Sequence, residues 1–264
     1  MDYRQLQGEL RRQILALHFQ ANSGHIGCSL SCIDLLIAIF ETKQKGDDFI
    51  LSKGHAATAI YTMLHHIGEI SSEELTTFYK NNTRLPAHPA PLQWQSIPFA
   101  TGSLGHGFSI ATGIAKANKL AGGNAISSVL MSDGETNEGT TWEAAHFAVA
   151  HGLDNLIVYI DKNGLQGFGN TADVLGDTAQ PAIWQSIGFD VVTVNGHSIE
   201  ELIEARQELL LHKNGKPKLI IAQTVKGKGV LCMENKLEWH YLPMSPEQYE
   251  TALNDLATNY YTAK

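Results

Sequence analysis

After Ala100 the sequence settles into an alternation that few folds accommodate. Short, β-branched apolar runs at residues 125–131, 156–160, 190–194 and 218–223 are separated by helical patterns over about 108–120, 140–151, 180–187 and 198–211. Strands joined through helices need crossover connections, so the pattern predicts an α/β fold: a doubly wound parallel sheet with helices on both faces. In such sheets ligands collect at the carboxyl ends of the strands, where the strand order reverses. The first hundred residues differ. Leu6, Leu10, Ile14 and Leu17 recur at helical spacing, as do Ile33, Leu36, Ile37 and Phe40. Residues 54–67 read as a helix stopped by Gly68, and Ser71 with Glu74 makes a capping box for another. No linker, repeat or low-complexity stretch interrupts the chain, which predicts one domain over residues 1–264 with a helical part at about 1–100.

Composition narrows the function. The chain has 264 residues, with 19 Lys plus Arg against 27 Asp plus Glu and a net charge of −8. That balance argues against a nucleic-acid binder, and the five lysines from Lys213 to Lys228 read as solvated surface. Cys28, Cys32 and Cys232 are too few for a disulfide framework and imply a reducing compartment; Cys28 and Cys32, four apart, read as core packing. The N-terminus is polar where a secretory signal is apolar, and the apolar stretch at 33–40 is far short of the roughly 20 residues of a membrane span. The expectation is a soluble cytoplasmic protein without nucleic-acid or membrane partners.

The chemistry concentrates at two strand ends. One strand closes in Ser132-Asp133-Gly134-Glu135, and thirty residues later the next closes in Asp161-Lys162-Asn163-Gly164-Leu165. One strand–helix–strand unit therefore delivers a carboxylate and a carboxamide to the same sheet edge. Both are hard oxygen donors suited, with a backbone carbonyl, to a magnesium ion that also binds phosphate oxygens. Taken singly, Asp-Gly and Asn-Gly are ordinary turns; as a pair on consecutive strand ends they point to a metal site. Gly102, Gly105 and Gly107 precede the helix at Phe108, where glycine lets backbone approach a phosphate. Glu143 and His146 have di-iron spacing without the second copy that site requires.

Asp-Gly followed about thirty residues on by Asn resembles the thiamine diphosphate motif. Ser23-Gly24-His25, Leu51-Ser52-Lys53-Gly54-His55, His88-Pro89, residues 101–107, Lys226-Gly227-Lys228-Gly229 and Glu238-Trp239-His240 resemble transketolase in order and spacing. The resemblance covers about residues 21–240 and only the diphosphate-binding part of that enzyme, so the chain looks like the N-terminal subunit of a split transketolase. It implies thiamine diphosphate with Mg²⁺, or Ca²⁺ in its place, and Asp133, Asn163 and the Leu165 carbonyl as metal ligands. His55, Gly102, Ser103, Leu104, Gly105, Gly134, Gly167 and His240, with Asp133 and Asn163, would bind the cofactor. His25, His88, His240 and Glu138 would be catalytic. Imidazoles suit proton traffic near neutral pH. Glu138 and Glu143 match carboxylates near the family's dimer contact. The remaining histidines, among them His65, His66, His106, His146 and His151, read as structural.

The glutamate that activates the cofactor lies, in the family, on a pyrimidine-binding domain that cannot be mapped here. The resemblance thus implies a partner carrying pyrimidine-binding and C-terminal domains, in a heterotetramer acting on small sugar substrates. Two departures stand out: Gly167 replaces the family's usual isoleucine, thinning the pocket wall and leaving support to Phe168 or the partner, and Tyr241 follows His240 where glycine is common. The alpha chain of a 2-oxo acid dehydrogenase shares the metal motif but not Ser23-Gly24-His25, Gly54-His55 or His88-Pro89. 1-Deoxyxylulose-phosphate synthase is closer chemically but is one long chain. A binding subunit that lost activity would not need competent side chains at every matched position.

Overall fold

The computed structural model describes residues 2–91 and 93–261. Helices α1 (Tyr3–Ala21) and α2 (Ile26–Thr42) lead into strand β1 (Asp48–Leu51), helix α3 (Ala57–His66) and a short α4 (Ser72–Leu75). The alternating part follows as α5 (His106–Leu120), β2 (Ser127–Ser132), α6 (Gly139–Ala150), β3 (Leu156–Lys162), a small hairpin β4 (Leu165–Gln166) and β5 (Gly169–Asn170), α7 (Thr171–Leu175), α8 (Pro181–Ile187), β6 (Asp190–Asn195), α9 (Ile199–Leu211), β7 (Lys218–Gln223) and α10 (Pro246–Leu256).

The main sheet has the order β1-β2-β3-β7-β6 with every pairing parallel. The chain steps one way from β1 to β3, passes to the far edge at β6, and turns back to β7. Right-handed crossovers therefore put α9, between β6 and β7, on the opposite face from α5, α6 and α8. The side chains agree. Val129, Met131, Val158, Ile160, Leu219 and Ile221 pack with Phe108, Ala145 and Trp184 of α5, α6 and α8. Their alternates Leu130, Ile157, Tyr159, Ile220 and Ala222 pack with Ile14, Ile33, Ile60 and Leu202 of α1, α2, α3 and α9. A period of two with both faces covered explains why these strands read as continuous apolar runs. The capping box expected from sequence forms at Ser71, and Ser198 caps α9 by accepting from Glu201 N.

Two expectations are corrected. Lys218 and Lys226 are buried rather than solvated: Lys218 Nζ donates to Asp190 at 2.7 Å and to the His212 carbonyl at 2.7 Å, while Lys226 enters the site described below. The cysteines also part company. Cys32 lies in the core, but Cys28 borders the cavity at the sheet edge. Among the described residues no helix is long and apolar enough to cross a membrane.

Candidate active site

The carboxyl ends of β2 and β3 are neighbours because Ser132 pairs with Asp161. Asp133, the first residue past β2, is buried. Its Oδ2 accepts from Gly164 N at 2.7 Å and from Thr171 Oγ1 at 3.2 Å, and its Oδ1 accepts from Gly134 N at 2.9 Å. Gly164 can make that bond because it turns the chain with a φ of 76°. Asn163 Oδ1 accepts from Leu165 N at 3.1 Å, and its Nδ2 donates to Asp161 Oδ2 at 3.4 Å. The two strand tips thus converge. Burial, reinforced by the nearby Asp161 carboxylate, raises the Asp133 carboxyl to about 6, a cost that a bound cation would offset.

Behind Asp133 and Asn163 lies a fully buried ion pair. Lys53 Nζ contacts Asp161 Oδ2 and donates to the Cys28 carbonyl at 3.1 Å. Ser31 and Thr224 also donate to Asp161. Burial works to raise Asp161, but Lys53 outweighs it and holds the carboxyl below its ordinary range. Since Asp161 binds Asn163, this network aims a residue predicted to be a ligand. Glu135 does the same for the glycine turn: fully buried, it accepts from Ser52 Oγ at 2.5 Å, Ser132 N at 2.9 Å and Gly105 N at 2.9 Å. Gly105 takes a φ of 82° as the N-cap of α5, and a Cβ there would come within 2.3 Å of Thr140 Oγ1.

The four histidines singled out from sequence gather. His25 lies 5.8 Å from His55, 5.8 Å from His88 and 5.0 Å from His240 between ring centroids. His25 N donates to the His240 carbonyl at 3.2 Å, and His25 Nδ1 is buried without a hydrogen-bond partner. Burial lowers His55 to about 4 and also lowers His88. Lys226 Nζ lies 3.0 Å from His240 Nδ1 and 3.3 Å from Cys28 Sγ. An ammonium only donates, so Nδ1 accepts and the His240 proton sits on Nε2. Burial would raise the Cys28 thiol, yet the Lys226 ammonium, the largest of the opposing effects, holds it well below its ordinary value.

These groups share a cavity of about 290 Å³ lined by His25, His55, His88, Gly102, Leu104, Asp133, Gly134, Glu138, Asn163, Leu165, Gly167 and His240. A second cavity of about 350 Å³ shares the same four histidines. Ser103 is exposed beside the turn, Gly105 is buried beneath it, and Glu138 and Glu143 are exposed. Sequence reasoning missed the supporting roles of Lys53, Asp161, Glu135, Thr171 and Lys226. Lys53 and Asp161 stand inside motifs that were read for their neighbours, but nothing local signals their pairing. Carboxylate and carboxamide oxygens at converging strand tips, beside a glycine turn opening a helix, fit a divalent cation and a diphosphate.

The family model described as transketolase, thiamine diphosphate binding domain, matches residues 10–261. The chain belongs to the transketolase family through this domain. It is 36% identical to an apulose-4-phosphate transketolase subunit of Phocaeicola vulgatus, covering 94% of this chain and 91% of that one. It is 34% identical to a 6-deoxy-6-sulfo-D-fructose transketolase subunit of a Clostridium species, covering 88% of each. Human transketolase is 32% identical over 92% of this chain but only 40% of its own length. The solved transketolase of Campylobacter jejuni superposes with a TM-score of 0.86 at 29% identity, covering 100% of this chain and 44% of that one. The chain therefore spans less than half of these longer transketolases.

Proposed function

We propose that the chain is the diphosphate-binding subunit of a two-subunit transketolase, moving a two-carbon ketol unit from a ketose or ketose phosphate to an aldehyde. The observation that carries this is the convergence of Asp133 and Asn163 on one edge of a cavity whose other wall is His25, His55, His88 and His240. Near-complete overlap with proteins named as transketolase subunits supports the subunit reading. The single domain spans residues 1–264 in this reading, and the protein is cytoplasmic.

Asp133, Asn163 and the Leu165 carbonyl would hold Mg²⁺, or Ca²⁺ in its place. Gly102, Ser103, Leu104, Gly105, Gly134 and His55 would bind the diphosphate, with Gly167 and His240 beside the rings. When bound, thiamine diphosphate supplies a nucleophilic carbon that adds to the ketose carbonyl. The chain's own part is positioning and proton transfer. With Nδ1 engaged by Lys226, His240 offers an Nε2–H to a substrate oxygen that gains charge. His25, whose Nδ1 is buried and unpaired, and His88 on the cavity wall would hold and relay substrate hydroxyl protons. Glu138, exposed at the rim, would meet the partner.

The partner would carry pyrimidine-binding and C-terminal domains in a heterotetramer. The test is to purify the two chains separately and together and assay ketose donors with aldehyde acceptors. Turnover is expected only from the complex, at a two-plus-two mass by light scattering. A purified chain that transferred ketol units alone would overturn the reading.

A further inference from the structure

Tyr241 follows a 3-10 turn, Leu237–His240, and its backbone is fixed on two sides. Its amide donates to the Glu238 carbonyl at 3.0 Å, and a Cβ on Gly24 would come within 2.3 Å of its own carbonyl oxygen. From that anchor the side chain crosses to the β4–β5 turn, where Tyr241 Oη donates to the Gly167 carbonyl. A Cβ added to Gly167 would lie 2.7 Å from this phenol oxygen, a separation that real Cβ atoms essentially never show. The backbone does not demand glycine there. Gly164 and Gly169 in the same turn take φ of 76° and 133°, whereas Gly167 is not in the left-handed region. What excludes a side chain at 167 is the phenol.

The phenol does little for the core. Tyr241 is 54% exposed, held by one hydrogen bond and by contact with His240, whose ring centroid lies 4.9 Å away. Its place is at the site: it lines both cavities, the one holding Asp133 and Asn163 and the one beyond the histidines, lined by Asn22, Tyr79 and Ala87. An aromatic bar tied across the junction of two cavities limits what can lie in both at once.

We propose that Tyr241 is a specificity-determining residue and Gly167 the receptor for its phenol, so that the pair sets the width of the passage beside His240 and favours slender, short polyhydroxy carbonyl compounds over longer or branched ones. This rests on the transketolase reading for the identity of the substrates. A bulk mismatch in such a passage is worth roughly 10–200-fold in discrimination.

The test uses the assembled two-chain complex loaded with thiamine diphosphate and Mg²⁺. The ratio of kcat/KM for a five-carbon over a two-carbon hydroxyaldehyde acceptor is measured for the wild type, Tyr241→Ala, Gly167→Ala and the double variant. The alanine methyl should expel the phenol, so each single variant should raise the ratio by roughly tenfold or more, and the double by no more than either. Tyr241→Phe, which keeps the ring and loses the tether, should move the ratio the same way by less. The same four proteins are titrated calorimetrically with two non-reacting mimics, ribitol 5-phosphate and glycerol 3-phosphate, and the affinity ratio should shift in parallel. If the wild type transfers ketol units but neither ratio moves by twofold, or if the single effects multiply, the proposal fails while the transketolase reading stands. If the wild type turns over no ketose, that reading fails, and the affinity ratio alone upholds or overturns the role of Tyr241.

Discussion

The ammonium of Lys226 lies 3.0 Å from Nδ1 of His240, and the same nitrogen reaches Cys28 Sγ at 3.3 Å. One buried cation thus orients an imidazole and lowers the pKa of a thiol that borders the same cavity. Replacing it by methionine keeps the volume and removes the charge. In Lys226→Met, the ultraviolet absorbance of the Cys28 thiolate should appear at a higher pH than in the wild type, because the strongest effect lowering the thiol is gone while the burial that raises it remains. An unchanged onset in the variant would show that Lys226 does not set the thiol's acidity.

The tie between Gly164 N and Asp133 Oδ2 makes the two strand tips one unit. Asp133→Ala and Asn163→Ala, each in the assembled complex, should therefore lower thiamine diphosphate affinity in Mg²⁺ by at least about 100-fold, the upper end for groups that only support a metal ligand. Calorimetric titration reads this directly, and circular dichroism should show the secondary structure retained. Affinity within a few-fold of wild type would remove these residues from the cation site.

His18 gives a pH dependence remote from the strand tips. Its ring is buried, with Nδ1 3.0 Å from Ser23 Oγ and Nε2 2.8 Å from Thr58 Oγ1. Burial lowers it to about 4 from an ordinary 6.5. Between those values the unfolded chain binds the proton and the folded chain does not, so stability falls as pH drops from about 6.5 to 4 and levels off below. The gap corresponds to about 3 kcal/mol. Urea midpoints of the wild type and His18→Asn should converge as pH falls through that window. Curves that stay parallel would exclude the effect.

Strands β2, β3, β6 and β7 were readable from their short β-branched runs, and their observed limits fall within two residues of the expected ones. β1 was not, since Asp48–Leu51 is only four residues and its partner β2 lies nearly eighty positions later. Helix α10 carries a readable start, with Ser245 and Gln248 forming a capping box and Pro246 at the first helical position. At the site, Asp133 and Asn163 announce themselves locally because each follows a strand and precedes a glycine. Their supports do not. Lys53 meets Asp161 from 108 positions away and Lys226 meets Cys28 from 198, distances at which a single sequence carries no pairing signal. The thinned wall expected at Gly167 is a further case. The residue that fills it, Tyr241, lies 74 positions later.

Alternate residues of β2 and β3 feed two separate cores, and the metal-binding candidates stand just past the ends of those strands. A slip of either strand by one residue would swap oily partners between the layers and carry Asp133 or Asn163 out of alignment in the same movement. On the proposed function, coenzyme capture would therefore double as a proofreader of assembly: a misthreaded sheet would have nowhere to hold the cation.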